Sequence, residues 1–243
     1  MAKYGLVGRD IAYSFSKTFF TVKFEQENKP HSYHNFDIEC IEKLTDVLSN
    51  NPDLKGFNVT IPFKESIISK LDRVDKEAHE IGAVNTVKIL RDGRLAGYNT
   101  DHYGFAKALA DFLPLANKKA LILGTGGASK AILYVLKAMD IEATLVSRKK
   151  QEGFLSYQEL TKSIMEVHSL IVNCTPLGTH PKVDEAPPIP YHYINNSHLL
   201  FDLVYNPKHT EFMKRGSVQG ARTTNGLKML EYQAKRAWKI WRQ

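Results

Sequence analysis

The sequence has 243 residues, of which 43% are hydrophobic and 24% are charged, and its formal net charge at pH 7 is +7. These values are typical of a globular protein whose core suits one large domain or two smaller ones. The Lys and Arg residues are scattered and form no stripe with aromatic residues, so we expect no nucleic-acid partner.

Cysteines and apolar segments indicate the cellular setting. Cys40 and Cys174 lie far apart and lack the spacing of metal ligands, which favours a reducing compartment, no disulfide and no metal. The N-terminal residues show no signal-peptide core, and no apolar run approaches the length of a membrane span. We therefore expect a cytoplasmic protein without a membrane partner.

Strands and helices alternate in the first part of the chain. The patterns predict strands at 3–7, 33–37 and 54–60, and helices at 18–27 and 38–48, the second helix being capped by Asp37. Such alternation is typical of an α/β domain with a parallel sheet, in which ligands bind at the carboxyl ends of the strands.

Polar side chains follow the first of these strands. Ser14 and Ser16 can either face a ligand together or cap the next helix. The residues alone favour capping, a role that Ser16 would serve well.

A lysine follows the third strand. Asn58 and Thr60 end that strand, and Pro62 is predicted to begin a helix that carries Lys64 in its first turn. A cation is unfavourable there because the helix dipole is positive at that end. Lys64 is therefore either a solvated surface residue or a group with a chemical task.

A hairpin and another helix start come next. Segments 83–90 and 94–98 flank Asp92-Gly93, a strong signal for a two-residue hairpin loop. Asp101 precedes a predicted helix at 103–113, and the residues alone leave open whether it only caps that helix or has a further role. Residues 114–117 are predicted to be a linker.

The clearest single motif is a glycine turn between a strand and a helix. An apolar run at 120–123 leads into Gly124, Gly126, Gly127 and Ala128, then a helical pattern and a second apolar run at 143–146. Gly124 permits a tight turn, Gly126 lets the backbone approach a pyrophosphate, and the N–H groups of the helix's first turn face that anion. The unit predicts dinucleotide binding.

The end of the second strand of this unit indicates which dinucleotide binds. NAD-binding units usually carry Asp or Glu there to hold the ribose hydroxyls, whereas this chain has Ser147, Arg148, Lys149 and Lys150. A guanidinium can bind a 2′-phosphate through two hydrogen bonds. The residues therefore favour NADP(H), and the alternative is an ordinary solvated basic turn.

The rest of the chain holds shorter elements. Segment 153–155 follows too soon for a right-handed crossover, so it is either an antiparallel edge strand or no strand. Ser156 to Glu159 has the form of a capping box that starts a short helix. The patterns further predict strands at 169–174 and 199–204, a loop with a little helix at 179–196, and helices at 208–215 and from Gly226 to Trp241.

Taken in order, these segments resemble the shikimate dehydrogenase family. The resemblance rests on Asn58-Val59-Thr60-Ile61-Pro62-Phe63-Lys64, Ala83-Val84-Asn85-Thr86, Asn99-Thr100-Asp101-x-x-Gly104, the Gly124 turn, Asn173-x-Thr175-Pro176-Leu177-Gly178, Asp202-x-x-Tyr205-x-Pro207 and Gly226-x-x-Met229-Leu230-x-x-Gln233. These motifs span nearly the whole chain and are far more specific than a lone glycine loop.

The resemblance implies an α/β fold of two domains and an activity. Residues 1–102, completed by a C-terminal helix at 226–243, would form a substrate-binding domain with a mostly parallel sheet. Residues 103–225 would form a Rossmann-like NADP-binding domain. The family reduces 3-dehydroshikimate to shikimate with NADPH on the pathway to chorismate and the aromatic amino acids. The expected partners are this small-molecule substrate and NADP(H), and the protein would be a monomer or a homodimer.

The resemblance also implies roles for single residues. Lys64 and Asp101 match the catalytic pair. The positions matching substrate contacts are Ser14, Ser16, Asn58, Thr60, Asn85, Tyr205 and Gln233. The positions matching cofactor contacts are Gly124, Gly126, Gly127, Ala128, Ser147, Arg148, Lys149, Thr175 and Gly226.

The chain departs from the family pattern in several places. Lys17 follows Ser16 where the family usually has proline, and Phe19-Phe20 stand near where the family has His-Asn. Ser147-Arg148-Lys149 replaces Asn-Arg-Thr, and the crossover helix that normally follows is absent. Two alternatives stay open, a quinate-active or NAD-using dehydrogenase and a non-catalytic relative that binds a shikimate-like ligand.

Overall fold

A computed structural model of the chain describes residues 1–11 and 14–243. They form two compact units: unit 1 comprises residues 1–104 and 230–243, and unit 2 comprises residues 105–229. Each unit is built around its own six-stranded sheet.

Unit 1 holds a mixed sheet with more parallel than antiparallel pairings. Its elements are β1 Ala2–Gly8, α1 Phe15–Gln26, β2 His31–Asp37, α2 Leu44–Ser49, β3 Leu54–Val59, β4 Arg73–Val74, α3 Lys76–Ile81, β5 Thr86–Ile89, β6 Leu95–Tyr98 and the start of α4 Asp101–Ala110. The strand order is β2-β1-β3-β5-β6-β4. Strand β1 pairs in parallel with β2 and β3, and β4 with β6, whereas β5 is antiparallel to β3 and β6. The predicted α/β fold with a mostly parallel sheet is confirmed.

The predicted helix at 38–48 is wrong in length and in its cap. A 3₁₀ turn at Ile41–Lys43 leads into the short helix α2. The carboxylate of Asp37 accepts hydrogen bonds from the backbone N–H groups of Asp10 and Ile11, at 3.0 and 3.2 Å. Asp10 has a φ of 56°, so this carboxylate holds a left-handed turn after β1 instead of a helix start.

The expected helix at Pro62 is also absent. Residues 61–65 form turns, and a 3₁₀ helix follows only at Ser66–Lys70. Lys64 therefore lies before the helix and not in its first turn, so the argument from a helix dipole does not apply to it.

The hairpin between β5 and β6 has a three-residue loop, not the predicted two-residue loop. Leu90 donates to the carbonyl of Arg94 at 2.9 Å, and Gly93 lies between them with a φ of 85°. A left-handed glycine at the third position is typical of three-residue hairpin loops.

The C-terminal helix α8, Leu227–Arg242, completes the core of unit 1. Trp238 and Trp241 pack in one cluster with Tyr4, Phe20 and Phe24 from β1 and α1. The indole N–H of Trp241 donates to the carbonyl of Val87 at 2.9 Å. The aromatic side chains of this helix thus serve packing.

Unit 2 holds a fully parallel sheet. Its elements are β7 Lys119–Leu123, α5 Gly127–Ala138, β8 Glu142–Ser147, β9 Leu155–Ser156, α6 Lys162–Val167, β10 Leu170–Asn173, β11 Leu199–Asp202, α7 Glu211–Val218 and β12 Arg222–Thr224. The strand order is β12-β11-β10-β7-β8-β9, and every pairing is parallel. This is a Rossmann-like arrangement, in which β7, α5 and β8 form the predicted strand, helix and strand around the glycine turn.

Strand β9 departs from both predicted possibilities. It pairs in parallel with β8, with Val146 opposite Leu155 and Ser147 opposite Ser156. Gly153, with a φ of 79°, lies in the loop at 148–154 that brings the chain back to the same edge without a crossover helix. A two-residue strand needs only this short return, because it makes no long parallel pairing.

Among the described residues, no helix is both long enough and apolar enough to span a membrane.

Candidate functional site

A close ion pair lies at the carboxyl end of β3 in unit 1. The ammonium Nζ of Lys64 is 2.7 Å from Oδ2 of Asp101, and their side chains are 15% and 7% exposed. The backbone carbonyl of Lys64 accepts from the N–H of Val84 at 2.7 Å, which anchors the turn that carries the lysine. A largely buried ammonium held by one carboxylate can stabilise a nearby developing negative charge.

Asp101 does not cap helix α4. Oδ1 of Asn99 accepts from the backbone N–H of His102 at 3.2 Å and so provides the side-chain bond to the first turn. Both oxygens of Asp101 are bound instead by side chains, Oδ2 by Lys64 and Oδ1 by the amide of Asn85 at 2.9 Å. The geometry favours the further role that the residues alone left open.

Asn85 connects this ion pair to helix α8. Its Oδ1 accepts from the backbone N–H of Thr100 at 2.6 Å, which fixes the orientation of the amide. Oε1 of Gln233 accepts from Thr100 Oγ1 at 3.2 Å and lies 3.4 Å from Nδ2 of Asn85. Lys64, Asp101, Asn85 and Gln233 are thus brought together as the resemblance implies.

Two buried hydroxyls in this network were not predicted. Thr86 and Thr100 contact each other through Oγ1 at 3.1 Å, and both also contact Oδ1 of Asn85. Both residues are next to predicted site residues in the motifs quoted above. A hydroxyl side chain in that position is the feature of the sequence that could have identified them.

Asn58 is hydrogen-bonded to two residues of this network. It is 3% exposed, its Oδ1 accepts from the hydroxyl of Tyr33 at 2.8 Å, and its Nδ2 donates to the carbonyl of Asn85 and to Thr86. All of these bonds lie within the protein. Tyr33 was not predicted, because its hydroxyl comes from the middle of β2, far from any motif.

Ser14 and Ser16 lie at the start of α1, and the predicted assignment of the cap is wrong. Ser14 is the cap, since its Oγ accepts from the backbone N–H of Lys17 at 3.3 Å. Ser16 lies inside the first turn, where the chain has already entered the helix. Burial raises the pKa of Tyr33, and a hydrogen bond with the Ser16 side chain acts in the opposite direction. Ser16 is thereby joined through Tyr33 to Asn58.

Thr60 lies directly after β3 and is partly buried. Its backbone N–H donates to the carbonyl of Val7 at 2.9 Å, which places it beside the end of β1.

The glycine turn of unit 2 leaves room for an anion. Gly124 has a φ of 106°, and Gly126 caps helix α5 without any side-chain bond to the first turn. A Cβ added at Gly126 would meet no atom within 4 Å, so the backbone here is open. The N–H groups of Gly127 and Ala128 begin the helix at this opening, and the arrangement suits a pyrophosphate. Ser129, in the sixth position of the motif, donates to the carbonyl of Gly126 at 2.6 Å.

Of the three cationic side chains in the basic turn after β8, one forms an ion pair with a carboxylate. Lys150 is 3.0 Å from Oε1 of Glu159, whereas no carboxylate of the described residues lies within salt-bridge distance of Arg148 or Lys149. Oγ of Ser147 accepts from the backbone N–H of Lys149 at 3.2 Å and shapes the turn. Glu159 and Ser156 form the predicted capping box.

Thr175 follows β10 in a loop held by Asn173. Oδ1 of Asn173 accepts from both the backbone N–H and the hydroxyl of Thr175, at 3.0 and 2.6 Å. A Cβ added at Gly124 would lie 3.2 Å from Cγ2 of Thr175, so this loop packs against the glycine turn.

Tyr205 and Gly226 lie in the loops that follow β11 and β12. Tyr205 is partly buried. A Cβ added at Gly226 would lie 2.2 Å from the carbonyl oxygen of Leu203, so only glycine fits there. Packing alone therefore explains Gly226, and its cofactor role stays a prediction.

The described residues contain no group of three or more His, Cys, Asp and Glu side chains that could hold a metal ion.

Several known proteins are similar to this chain in sequence and in fold. Residues 6–87 match the family model described as the shikimate dehydrogenase substrate binding domain. The chain is 37% identical to a shikimate dehydrogenase (NADP⁺) of Clostridium botulinum, over 98% of this chain and 95% of that protein. Its fold matches the crystal structure of shikimate dehydrogenase 1 from Peptoclostridium difficile with a TM-score of 0.86 and 38% identity, over 100% of this chain and 92% of that one. It also matches shikimate 5-dehydrogenase from Thermus thermophilus, solved with NADP(H) and shikimate, with a TM-score of 0.86 and 31% identity over 99% and 93%.

Proposed function

The chain belongs to the shikimate dehydrogenase family, and from that premise we propose that it interconverts shikimate and 3-dehydroshikimate with NADP(H). The reaction is a step towards chorismate and the aromatic amino acids. The observation that carries the proposal is the Lys64–Asp101 pair at 2.7 Å, which also contacts Asn85.

Lys64 is proposed to act on the oxygen of the reacting carbon. NADPH, when bound, supplies a hydride to the substrate ketone. Reduction develops negative charge on the ketone oxygen, and Nζ of Lys64 can stabilise that charge and donate a proton to it. Asp101 holds the ammonium in one direction through Oδ2, while Asn85 keeps the carboxylate from turning through Oδ1.

Unit 1 is proposed to bind the substrate. The hydroxyls of Ser14 and Ser16 can donate to the substrate carboxylate at the start of α1. Thr60, Asn85 and Gln233 supply groups that can hold the ring hydroxyls, and Asn58 holds the amide network in place. The family resemblance also assigns Tyr205 to the substrate.

Unit 2 is proposed to bind NADP(H). The turn formed by Gly124, Gly126, Gly127 and Ala128, with open space at Gly126 and the start of α5 behind it, suits the pyrophosphate. Ser147, Arg148 and Lys149 would hold the 2′-phosphate, and Thr175 and Gly226 follow from the family resemblance.

We further propose a cytoplasmic protein that acts as a monomer or a homodimer. Cys40 and Cys174 form no disulfide, which supports a reducing compartment.

The proposal is tested by replacing Lys64. We expect the wild-type protein to reduce NADP⁺ with shikimate, and the absorbance of NADPH measures the rate. We expect Lys64→Ala to lose about a hundredfold or more in kcat. Substrate and cofactor binding should change little, because the ammonium is needed most where alkoxide charge develops. The matched control is Lys70→Ala, since Lys70 lies on the neighbouring 3₁₀ helix with its Nζ 3.9 Å from Glu42.

The same assay separates the alternatives. Turnover of quinate with NAD⁺ in place of shikimate with NADP⁺ would make the protein a quinate-active dehydrogenase. Shikimate binding without any turnover would make it a non-catalytic relative. A Lys64→Ala variant with wild-type kcat would remove Lys64 from the mechanism.

A further inference from the structure

We propose that Asp202, at the end of β11, is a positioning residue that fixes the Thr175 loop against the glycine turn of unit 2. This inference rests on the proposed function, because it assumes that the glycine turn binds NADP(H). No part of Asp202 needs to touch the ligand for this role.

Asp202 is a fully buried carboxylate that accepts hydrogen bonds from three separate segments. It is 0% exposed. Its Oδ1 accepts from Nδ2 of Asn173 at 2.9 Å and from the backbone N–H of Val204 at 3.0 Å, and its Oδ2 accepts from the hydroxyl of Thr210 at 2.6 Å. A buried carboxylate that accepts from three donors is held in position, because moving it would leave those donors without an acceptor.

The first bond leads to the glycine turn. Asn173 lies opposite Asp202 in the pairing of β10 with β11, and its Nδ2 is directed at the carboxylate. The amide is therefore held with Oδ1 facing Thr175, from which it accepts both the N–H and the hydroxyl. A rotated amide would present N–H groups to two donors. Through Asn173, Asp202 thus fixes Thr175, whose methyl group packs at Gly124.

The other two bonds tie down the chain after β11. The bond to Val204 holds the backbone just before Tyr205. The bond to Thr210 holds the residue that caps α7, whose Oγ also accepts from the N–H of Met213. One carboxylate thereby sets the position of two loops that the family resemblance assigns to the ligands.

The network requires an acceptor on both carboxyl oxygens. The shape of the side chain is almost unchanged in Asp202→Asn, but this variant presents an amide N–H₂ to one of the three donors. If the amide nitrogen faces Asn173, that side chain must rotate away; if it faces Thr210, the Thr210 hydroxyl must turn from donor to acceptor and its proton loses its partner. Either outcome removes a hydrogen bond from the network, so the Thr175 loop should be held less firmly against the glycine turn. A displacement of about 1 Å in the residues that support a binding site is enough to weaken its function strongly.

The test is NADP⁺ binding to the intact chain by isothermal titration calorimetry. We expect Asp202→Asn to raise the Kd for NADP⁺ on the order of tenfold or more, with kcat at saturating NADP⁺ and shikimate changed by less than about threefold. The variant Thr210→Val keeps the carboxylate and removes one donor, so it should raise the Kd by a smaller factor and serves if Asp202→Asn does not fold.

The control that separates positioning from general stability is Ser169→Ala. Ser169 is buried directly before β10, at the opposite end of that strand from Asn173, and its hydroxyl bonds to Asn117. Its loss should lower Tm while leaving the Kd for NADP⁺ unchanged. If the Kd rises as much in Ser169→Ala as in Asp202→Asn, or in neither Asp202→Asn nor Thr210→Val, the inference is wrong. A wild-type chain that does not bind NADP⁺ would instead overturn the proposed function.

Discussion

Asp202 is also expected to make the stability of the protein depend on pH. Burial raises the pKa of Asp202 to about 6, although hydrogen bonds from Thr210, Val204 and Asn173 act in the opposite direction. The folded protein therefore holds this proton more tightly than the unfolded chain. The contribution of Asp202 to stability is fully present below the ordinary aspartate pKa of about 4 and is lost as pH rises through 6.

We expect the stability difference between the wild type and Asp202→Asn to fall as pH rises from about 4 to 7, by about 3 kcal/mol. The measurement is urea unfolding of both proteins at a series of pH values. Asp53→Asn is a control of opposite sign, because hydrogen bonding to Lys3 lowers the pKa of Asp53 at the surface. A flat or rising difference for Asp202→Asn would contradict the expected titration.

Single residues of the site were predictable by type but not always by task. Lys64, Asp101, Asn85 and Gln233 come from distant motifs, and the structure gathers them in one network. The caps were harder to predict, because Ser14 and Ser16 are equally good cap residues and differ only in where the helix begins. That boundary depends on tertiary packing of α1, which a local pattern does not contain.

At the scale of elements, the return from β8 to β9 replaces a crossover helix. The loop at 148–154 is closed by the pair Lys150–Glu159 and by the capping box at Ser156. Hydrogen bonds from Ser156, and then from Lys150, lower the pKa of Glu159 to about 2, so its carboxylate stays charged near neutral pH. This arrangement leaves Arg148 and Lys149 as the cations available for a 2′-phosphate.

We expect the wild type to prefer NADP⁺ over NAD⁺ by about tenfold or more at low salt, since charge-assisted bonds to the 2′-phosphate form only with NADP⁺. Arg148→Ala should reduce that preference by raising the KM for NADP⁺ alone. Added salt should reduce the preference for NADP⁺, because exposed charges are screened. Steady-state kinetics with NADP⁺ and with NAD⁺ measures the preference at each salt concentration.

Lys150→Ala is the matched control for that experiment. Its ammonium is paired with Glu159, so its loss should change the preference much less than the loss of Arg148. Equal use of both cofactors by the wild type, or equal weakening of both by Arg148→Ala, would remove the phosphate-binding role of this turn.

Elements with a strong local signal were predictable, and elements defined by long-range pairing were not. The glycine turn, α5 and the capping box at Ser156 each carry their signal within a few residues, and all are present. Strand β9 has two residues, and its direction depends on an edge of β8 that becomes available only after the sheet has formed. Strands β4 and β12 and helix α3 are similarly short and were missed.

At the scale of the whole molecule, unit 1 is built from both ends of the chain. Helix α8 brings Trp238 and Trp241 onto Tyr4 of β1 and onto α1, with the Trp241 ring stacked on Tyr4 at 4.9 Å. A Cβ added at Gly56 would lie 2.4 Å from the Trp241 ring, so the helix also packs directly on β3. Unit 2 is a single continuous segment and contains no part of this cluster.

Loss of this tryptophan should therefore destabilise unit 1. We expect Trp241→Ala to lower the free energy of unfolding of unit 1 by about 3–5 kcal/mol, because it opens a cavity in the aromatic cluster. Trp241→Phe keeps most of the packing but removes the indole N–H that donates to the carbonyl of Val87, so it should cost about 1–3 kcal/mol.

Val218→Ala is the control for both variants, because Val218 is 82% exposed in unit 2 and its replacement should change the stability little. Hydrogen exchange measured at increasing urea shows which unit is destabilised. Amides of β1, β3 and β5 should lose protection before those of β7 and β10. If the amides of unit 2 lose protection first, or the two Trp241 variants cost the same, the aromatic cluster does not stabilise unit 1 in the way that its geometry indicates.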